Sequence, residues 1–237
     1  DALKAISSGS QNIAIGRDAL KATTDGDYNI ALGYQAGVAI NTGHENILLG
    51  RLVATAMTDG GENIVIGKSA GSNLTSADNI IAIGEDALDL ENTGTHAIAI
   101  GYRAGYKNRI SDVNYNTFMG YNAGREVTTG NHNTFLGNHA GYGVDGSDAD
   151  NNVAIGSYSL VNIVGNNNVS IGYEAGRNAS GSSNTFVGYN TGKGGTTSAP
   201  FSSGQNNTAL GYQALTAFTT GATNVAVGSY SLDAITT

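Results

Sequence analysis

A short pattern of polar and apolar positions recurs along the chain, and its first complete copy is Asn12-Ile13-Ala14-Ile15-Gly16. Each copy of the pattern has a first residue that is usually polar, then three mainly apolar residues, and then a glycine. The pattern occurs thirteen times. The closing glycines are Gly16, Gly33, Gly50, Gly67, Gly84, Gly101, Gly120, Gly137, Gly156, Gly172, Gly188, Gly211 and Gly228. Steps of 17 residues separate the first six of them. Repetition at a short fixed period predicts a solenoid whose successive coils stack on one another.

The three residues before each glycine predict a short strand. The first of them is β-branched in every copy, and the third is Ile, Leu, Val or Met. Side chains two residues apart share one face of a strand, and β-branched side chains favour strands. We expect these two columns to fill the interior of each coil. The middle column then points outward, and because it is never charged it predicts contact with another surface. The middle column consists of Ala14, Ala31, Leu48, Val65, Ala82, Ala99, Phe118, Phe135, Ala154, Ser170, Phe186, Ala209 and Ala226.

The residues that flank the strand predict the corners of the coil. An invariant glycine indicates a backbone with positive φ, or an approach too close for a Cβ. Asn begins eleven of the thirteen copies, the exceptions being Ile80 and Ala97. These asparagines either form an amide ladder between coils or serve local turns. A small pair such as Ala19-Leu20 follows each glycine and is expected to pack the second side of the coil.

Later departures from the 17-residue step predict loops on an intact stack. The steps to Gly120 and Gly156 are 19 residues, and the step to Gly211 is 23. The chain is therefore expected to form one solenoid domain over residues 1–237, with loops 102–115, 142–150 and 189–206 as candidate contact sites. Because Asp1-Ala2-Leu3 repeats as Asp18-Ala19-Leu20, we expect this domain to be a piece of a longer fibrous protein.

The composition argues against nucleic acids and membranes as partners of this chain. The formal net charge is -8 and only 13% of residues are charged, which is unlike the basic face of a nucleic-acid-binding protein. No apolar run approaches the roughly 20 residues of a membrane-spanning helix, so no membrane insertion by this segment is expected. A narrow coil buries a small fraction of its surface, and the uncharged middle column therefore favours self-association of three copies around an axis.

The repeats resemble those of two kinds of surface fibre. The segments 152–156, 168–172 and 224–228 resemble head repeats of YadA-like trimeric autotransporter adhesins, and segments 116–124 and 133–141 are similar to repeats of bacteriophage tail fibres. The resemblance implies an all-β, left-handed parallel β-roll of about 13 coils that forms a homotrimer. It further implies an extracellular segment, on a bacterial surface or a virion, that attaches to a cell-surface glycan or protein receptor.

Candidate chemistry is sparse, and we predict no catalytic residue, cofactor or metal ion. The acidic cluster Asp145, Asp148 and Asp150 is either a calcium site or, as we favour, a solvated loop. A second acidic cluster consists of the carboxylates of Glu85, Asp86, Asp89 and Glu91. If two of them formed a glycosidase pair, the chain would be a tailspike-like, polysaccharide-degrading solenoid, which is the alternative function. Local acidic clustering is the simpler interpretation. The histidines are His44, His96, His132 and His139, at spacings that suit no metal site.

Tyrosine directly follows the glycine in six copies and predicts an aromatic stripe. These residues are Tyr34, Tyr102, Tyr121, Tyr173, Tyr189 and Tyr212. The stripe has two interpretations, binding of glycans or proteins by stacking, or stacking between neighbouring coils. We favour stacking between coils.

Overall fold

Two compact units make up the chain in this computed structural model, which describes residues 1–90, 93–109, 114–195 and 201–234. The first unit is Asp1–Asn116 and the second is Thr117–Thr237. Regular structure in the described residues consists of three-residue strands. Those of the first unit are β1 (Ile13–Ile15), β2 (Ile30–Leu32), β3 (Ile47–Leu49), β4 (Ile64–Ile66), β5 (Ile81–Ile83) and β6 (Ile98–Ile100). Those of the second unit are β7 (Thr117–Met119), β8 (Thr134–Leu136), β9 (Val153–Ile155), β10 (Val169–Ile171), β11 (Thr185–Val187), β12 (Thr208–Leu210) and β13 (Val225–Val227).

Within each unit the strands form a parallel sheet in chain order, one strand per coil. Ile13 pairs with Ile30 and Ile30 with Ile47, so each strand lies in register beside the equivalent residues of the next repeat. The register also survives the longest step, where Thr185 pairs with Thr208. The prediction of an all-β solenoid of parallel coils is therefore confirmed, and added residues leave the stack as loops.

The strand faces are the reverse of those we predicted from the sequence. The middle residue points into the coil, where eleven of thirteen copies are fully buried at 0% exposure. The two larger columns point outward, with Ile15 60% and Leu32 47% exposed. The error came from placing the larger aliphatic side chains inside. The chain turns back over the middle residue within six positions, so the interior admits one strand column, and that column is mostly small.

Two positions face each other inside each coil, the middle residue of the strand and the residue four positions after the corner glycine. Their combined size sets how well the interior is filled. Phe118 lies opposite Gly124, where an added Cβ would be 2.7 Å from the ring. A strand alanine lies opposite a leucine instead, as for Ala14 and Leu20. A third interior position, occupied for example by Ile40, completes the core. In most coils a large residue thus faces a small one, as close packing requires. Ala31 faces Gly37 instead, and there Leu20 and Leu48 of the neighbouring coils fill the space. Nothing in the structure accounts for the threonine that precedes each strand phenylalanine.

The glycines that end the strands combine both of the predicted roles wherever another coil follows. At Gly50 φ is +147°, and an added Cβ would lie 2.5 Å from the carbonyl oxygen of Gly67 on the next coil. Gly156 repeats this arrangement in the second unit, with φ of +123° and 2.6 Å to the carbonyl oxygen of Gly172. Successive coils therefore pass one another at a distance that no side chain allows.

The asparagines form the amide ladder that was one of the two interpretations of their column. Nδ2 of Asn46 donates to Oδ1 of Asn29 at 2.9 Å and to the carbonyl oxygen of Gly60 at 2.8 Å. Its Oδ1 accepts from Nδ2 of Asn63 at 2.9 Å. In the second unit the same ladder runs through Asn133, Asn152, Asn168, Asn184, Asn207 and Asn224. Each interior amide is thus buried with its hydrogen bonds made, which fixes the register between coils.

The second side of each coil is held by hydrogen bonds between coils that alternate in direction. The backbone N–H of Gln35 donates to Arg17 O at 2.9 Å on the preceding coil, and that of Leu20 donates to Ala36 O at 3.0 Å on the following coil. This alternation requires positive φ at two positions per coil, 54° at Gln35 and 49° at Leu20. The small pair that includes Ala19 is fully buried, as predicted.

Candidate interaction surfaces

The outer face of the strands is a candidate interaction surface that extends over every coil of each unit. In the first unit its two columns are Ile13, Ile30, Ile47, Ile64, Ile81 and Ile98, and Ile15, Leu32, Leu49, Ile66, Ile83 and Ile100. In the second unit they are Thr117, Thr134, Val153, Val169, Thr185, Thr208 and Val225, and Met119, Leu136, Ile155, Ile171, Val187, Leu210 and Val227. None of these residues is buried and none is charged. We call each unit's two columns its outer strand face.

Charged side chains lie beside the outer strand face rather than on it. Lys68 contacts Glu85 at 2.6 Å and Nε of Arg103 contacts Asp86 at 3.1 Å, each pair linking neighbouring coils near the corner glycine. The Lys68–Glu85 pair is largely solvent-exposed and contributes little to stability, whereas Asp86 is mostly buried beneath Arg103. The outer columns therefore carry no charge, and in the first unit they are aliphatic throughout. A contiguous exposed apolar face is typical of a surface that contacts another protein.

The aromatic stripe stacks from coil to coil in the second unit, which confirms the interpretation that we favoured. Tyr189 lies between Tyr173 and Tyr212, with centroids 5.3 Å away on each side and interplanar angles of 16° and 10°. Both faces of the Tyr189 ring are therefore covered, although the residue is 46% exposed. What reaches solvent is ring edge and hydroxyl group, so a sugar cannot stack on the face of this ring.

Sequence reasoning missed Tyr142, which stacks on His139 at 5.3 Å, and three members of this stack that share one position, His139, Tyr158 and Tyr230. His139 stacks on Tyr158 at 5.2 Å and 10°, and Tyr230 packs edge-on against Tyr212 at 5.3 Å. These three lie two residues after the glycine instead of one. Positive φ at this position, 54° at His139, turns the side chain toward the same stripe. An aromatic residue following Gly-Ser or Gly-Asn is the sequence signal that could have identified them.

His139 is the histidine most affected by its surroundings. Burial in the stack, reinforced by the nearby charge of Arg125, lowers the pKa of His139 below its ordinary value. The imidazole is thereby kept neutral at pH 7, which suits its stacking between rings. The other three histidines lie apart from it, His44 and His96 in the first unit and His132 at a turn of the second.

The candidate carboxylates are occupied by structural contacts. Glu85 and Asp86 pair with cations as described above. Asp89 accepts a short hydrogen bond from the Ser72 hydroxyl, and burial raises the pKa of Asp89. Glu91 lies outside the described residues. Glu85, Asp86 and Asp89 are therefore each engaged with a residue of a neighbouring coil.

The acidic cluster of the loop 142–150 is spread out. Asp145 and Asp148 are exposed, whereas Oδ1 of Asp150 accepts from the backbone N–H of Asn131 at 2.8 Å. Among the residues that the structure describes, no three His, Cys, Asp or Glu side chains converge on a point where a metal ion could bind. The cluster is thus arranged as a surface loop.

The other two predicted contact loops are described in part. Residues 110–113 of the loop 102–115 and residues 196–200 of the loop 189–206 lie outside the described residues. Past the second gap the chain rejoins the stack, where Ser202 forms an isolated parallel bridge with Ala179. Val127 and Ser147 form the equivalent bridge beside the loop 142–150.

Comparison of the chain with protein-family models, with curated proteins and with solved structures finds no match. Over the described ranges, no helix has the length and apolar character needed to cross a bilayer. What the geometry defines is thus a parallel β-solenoid repeat protein with an uncovered apolar strand face.

Proposed function

We propose that this chain is a shaft or head segment of a homotrimeric fibre, on a bacterial surface or a virion, that attaches to a cell surface through a glycan or protein receptor. The proposal includes a left-handed coil, as the resemblance to adhesin heads implies, and an extracellular location. The observation that supports it is the outer strand face, which carries aliphatic or threonine side chains without one charge. Such a face is stabilised when another copy covers it.

Three copies suit this face because each strand presents two outward columns. In a closed ring around a three-fold axis, one column of each copy meets the other column of its neighbour. Within a unit all strands are parallel and in register, so the same contact between the two columns recurs on every coil. The trimer interface in this proposal therefore consists of the Ile13 and Ile15 columns, and not of the buried Ala14 column.

The coil's narrow interior explains why association is required. Most strands contribute a single alanine or a similarly small residue to the core, while two larger side chains remain outside. Covering the outer columns adds apolar burial at about 25 cal/mol per Å² without lengthening the repeat. Assembly thus supplies stabilisation that larger proteins obtain from a broader core.

A pair of charge substitutions on the outer strand face tests the proposal. Ile47→Glu combined with Ile64→Glu places two carboxylates on adjacent central strands, on side chains that are only partly buried in the single chain. We expect the variant to lose self-association, measured by sedimentation velocity, because charge cannot be covered by an apolar partner. Its far-ultraviolet circular dichroism should remain that of the folded coil.

The matched control is Thr42→Glu, an exposed turn residue of the same coil as Ile47. It adds a carboxylate away from the strand face and should leave the assembly mass unchanged. If the double variant assembles as the unmodified chain does, the outer strand face is not the interface and the proposal fails.

A further inference from the structure

A polar pocket of about 320 Å³ lies on the second unit, away from the outer strand face. Val161, Asn162, Arg177, Asn178, Lys193 and Phe201 line it. The first five come from positions five and six residues after the glycines that close β9, β10 and β11. Phe201 comes from the 23-residue step to Gly211, which adds a lining residue that the regular repeat does not supply.

The pocket concentrates positive charge in an acidic unit. Residues 117–237 contain three basic side chains and six carboxylates, and two of the three basic residues, Arg177 and Lys193, line the pocket. Glu174 contacts both, at 2.7 Å from Arg177 and 2.5 Å from Lys193. One carboxylate against two cations leaves one positive charge in excess. Both cations stay accessible, with 38% and 31% of their side chains exposed.

The cations are held in place from several sides. Arg177 lies over the ring of Tyr158, 5.4 Å from its centroid, in a cation–π contact. Burial acts to raise the pKa of Glu174, but the hydrogen bond from Lys193 and the charge of Arg177 outweigh it, so that the pKa is lowered. Glu174 is therefore ionised at neutral pH and anchors both cations at the edge of the pocket.

Amide side chains and an aromatic wall complete the site. Nδ2 of Asn162 donates to Oδ1 of Asn178 at 3.0 Å, and Nδ2 of Asn178 donates to Gly194 O at 3.4 Å. Asn178 is 4% exposed and therefore fixes the half-buried Asn162, whose Oδ1 remains as an acceptor for a ligand in the pocket. The backbone N–H of Ser202 donates to Asn178 O at 2.9 Å, which holds the neighbouring Phe201 beside them. The pocket thus combines an anion-binding edge, preformed hydrogen-bonding groups and one apolar wall.

We infer that this pocket binds a carboxylate-bearing sugar, such as a uronic acid residue of a cell-surface glycan. Guanidinium and ammonium groups recognise a carboxylate through charge-assisted hydrogen bonds, and amides together with an aromatic wall suit a hydroxylated ring. The volume admits one or two sugar residues. A polyphosphate ligand is disfavoured by the six carboxylates of the unit. The inference names the ligand class for the attachment step and so rests on the proposed function.

The test compares two sugars on the full chain. Titration with methyl glucuronide, followed by isothermal calorimetry or by ligand-observed nuclear magnetic resonance, should show saturable binding. Methyl glucoside, which differs by lacking the carboxylate, should bind at least about tenfold more weakly, the loss expected when a charged hydrogen bond is removed. Equal binding of the two sugars, or binding of neither, would overturn the inference.

Substitutions locate the site on the chain and distinguish a sugar ligand from a peptide ligand. Arg177→Gln with Lys193→Gln should weaken methyl glucuronide binding by about tenfold or more, whereas Arg51→Gln, in the first unit, should have no effect. The double variant also loses the partners of Glu174 and should melt at a lower temperature, so its binding is measured well below its midpoint, where circular dichroism shows the folded coil. A glutamate-rich peptide that binds where methyl glucuronide does not would show that the ligand is a protein and would refute the sugar.

The assembly mass is measured on the same samples. A trimer without sugar binding refutes this inference alone, and a monomer that binds the sugar refutes only the trimeric fibre.

Discussion

At the scale of the residue, the corner glycine sets the distance between coils. A side chain at this position would destabilise the fold in two ways. It would strain the backbone, because φ is positive, and it would overlap the carbonyl oxygen of the next coil. The last glycine of the series, Gly228, separates these two effects, because its φ is +115° but nothing lies within 4 Å of an added Cβ. The chain therefore offers an internal comparison between backbone strain and steric overlap.

Gly50→Ala is expected to be the more damaging of two alanine substitutions. Its Cβ would overlap the Gly67 carbonyl oxygen at 2.5 Å in addition to occupying a strained φ, so we expect a loss of more than about 4 kcal/mol in the free energy of unfolding. Gly228→Ala should only strain the backbone, so its free energy of unfolding should fall by about 1–3 kcal/mol. Urea denaturation of both variants measures the difference, and equal losses would show that the close approach does not matter.

At the scale of the element, each coil is a balance of three interior positions around one short strand. Where the strand carries phenylalanine, the position six residues later is glycine, as for Phe135 and Gly141. Where the strand carries alanine, that position is usually leucine, as for Ala154 and Leu160 on the adjacent coil. Leucine occupies this position although φ is positive there, 47° at Leu160, which shows that burial of its side chain offsets the backbone cost.

Exchanging one pair for the other tests this balance. Phe135→Ala alone should cost about 3–5 kcal/mol through a cavity, and Gly141→Leu alone should be destabilised by overlap with the Phe135 ring. The double variant recreates the arrangement of Ala154 and Leu160. We expect it to be more stable than the sum of the single effects predicts, by about 1–3 kcal/mol, as measured by a double-mutant cycle in urea. Additive losses would mean that the two positions do not share volume.

Much of the element could be read from the sequence, and its orientation could not. The period, the three-residue strand, the corner glycine and the parallel register all follow from the spacing of Asn12-to-Gly16 and its copies. Alternation alone defines two faces of a strand without saying which is inside. The preference for large aliphatic residues in cores pointed to Ile13 and Ile15. The tight return of the chain over Ala14 decided otherwise.

The side-chain contacts were predictable to different degrees. The ladder through Asn29 and Asn46 was one of two stated interpretations, because an amide repeated at every coil can bond in both directions. The stacking of His139 and Tyr158 depends on a positive φ two residues after the glycine, which the sequence pattern does not display. The pocket of Arg177 and Lys193 was not found from the sequence, because Phe201, which lines it, belongs to an insertion that does not follow the repeat.

At the scale of the whole molecule, reversing the strand faces strengthens the expectation of assembly and moves its location. A buried alanine column needs no partner. Two uncovered aliphatic columns do, and in the first unit all twelve of their members are Ile or Leu. A charge on the alanine column, for example at Ala99, would therefore disrupt the coil itself and would report nothing about assembly.

The mass of the unmodified chain in solution tests the central claim most directly. The chain has a mass of 24.1 kDa, and sedimentation equilibrium at several concentrations should give three times that value, 3 × 24.1 kDa. A mass of 24.1 kDa at every concentration would show that the outer strand face remains in contact with water, and twice that mass would show that a single partner covers it. Either result would contradict the account of a trimeric fibre.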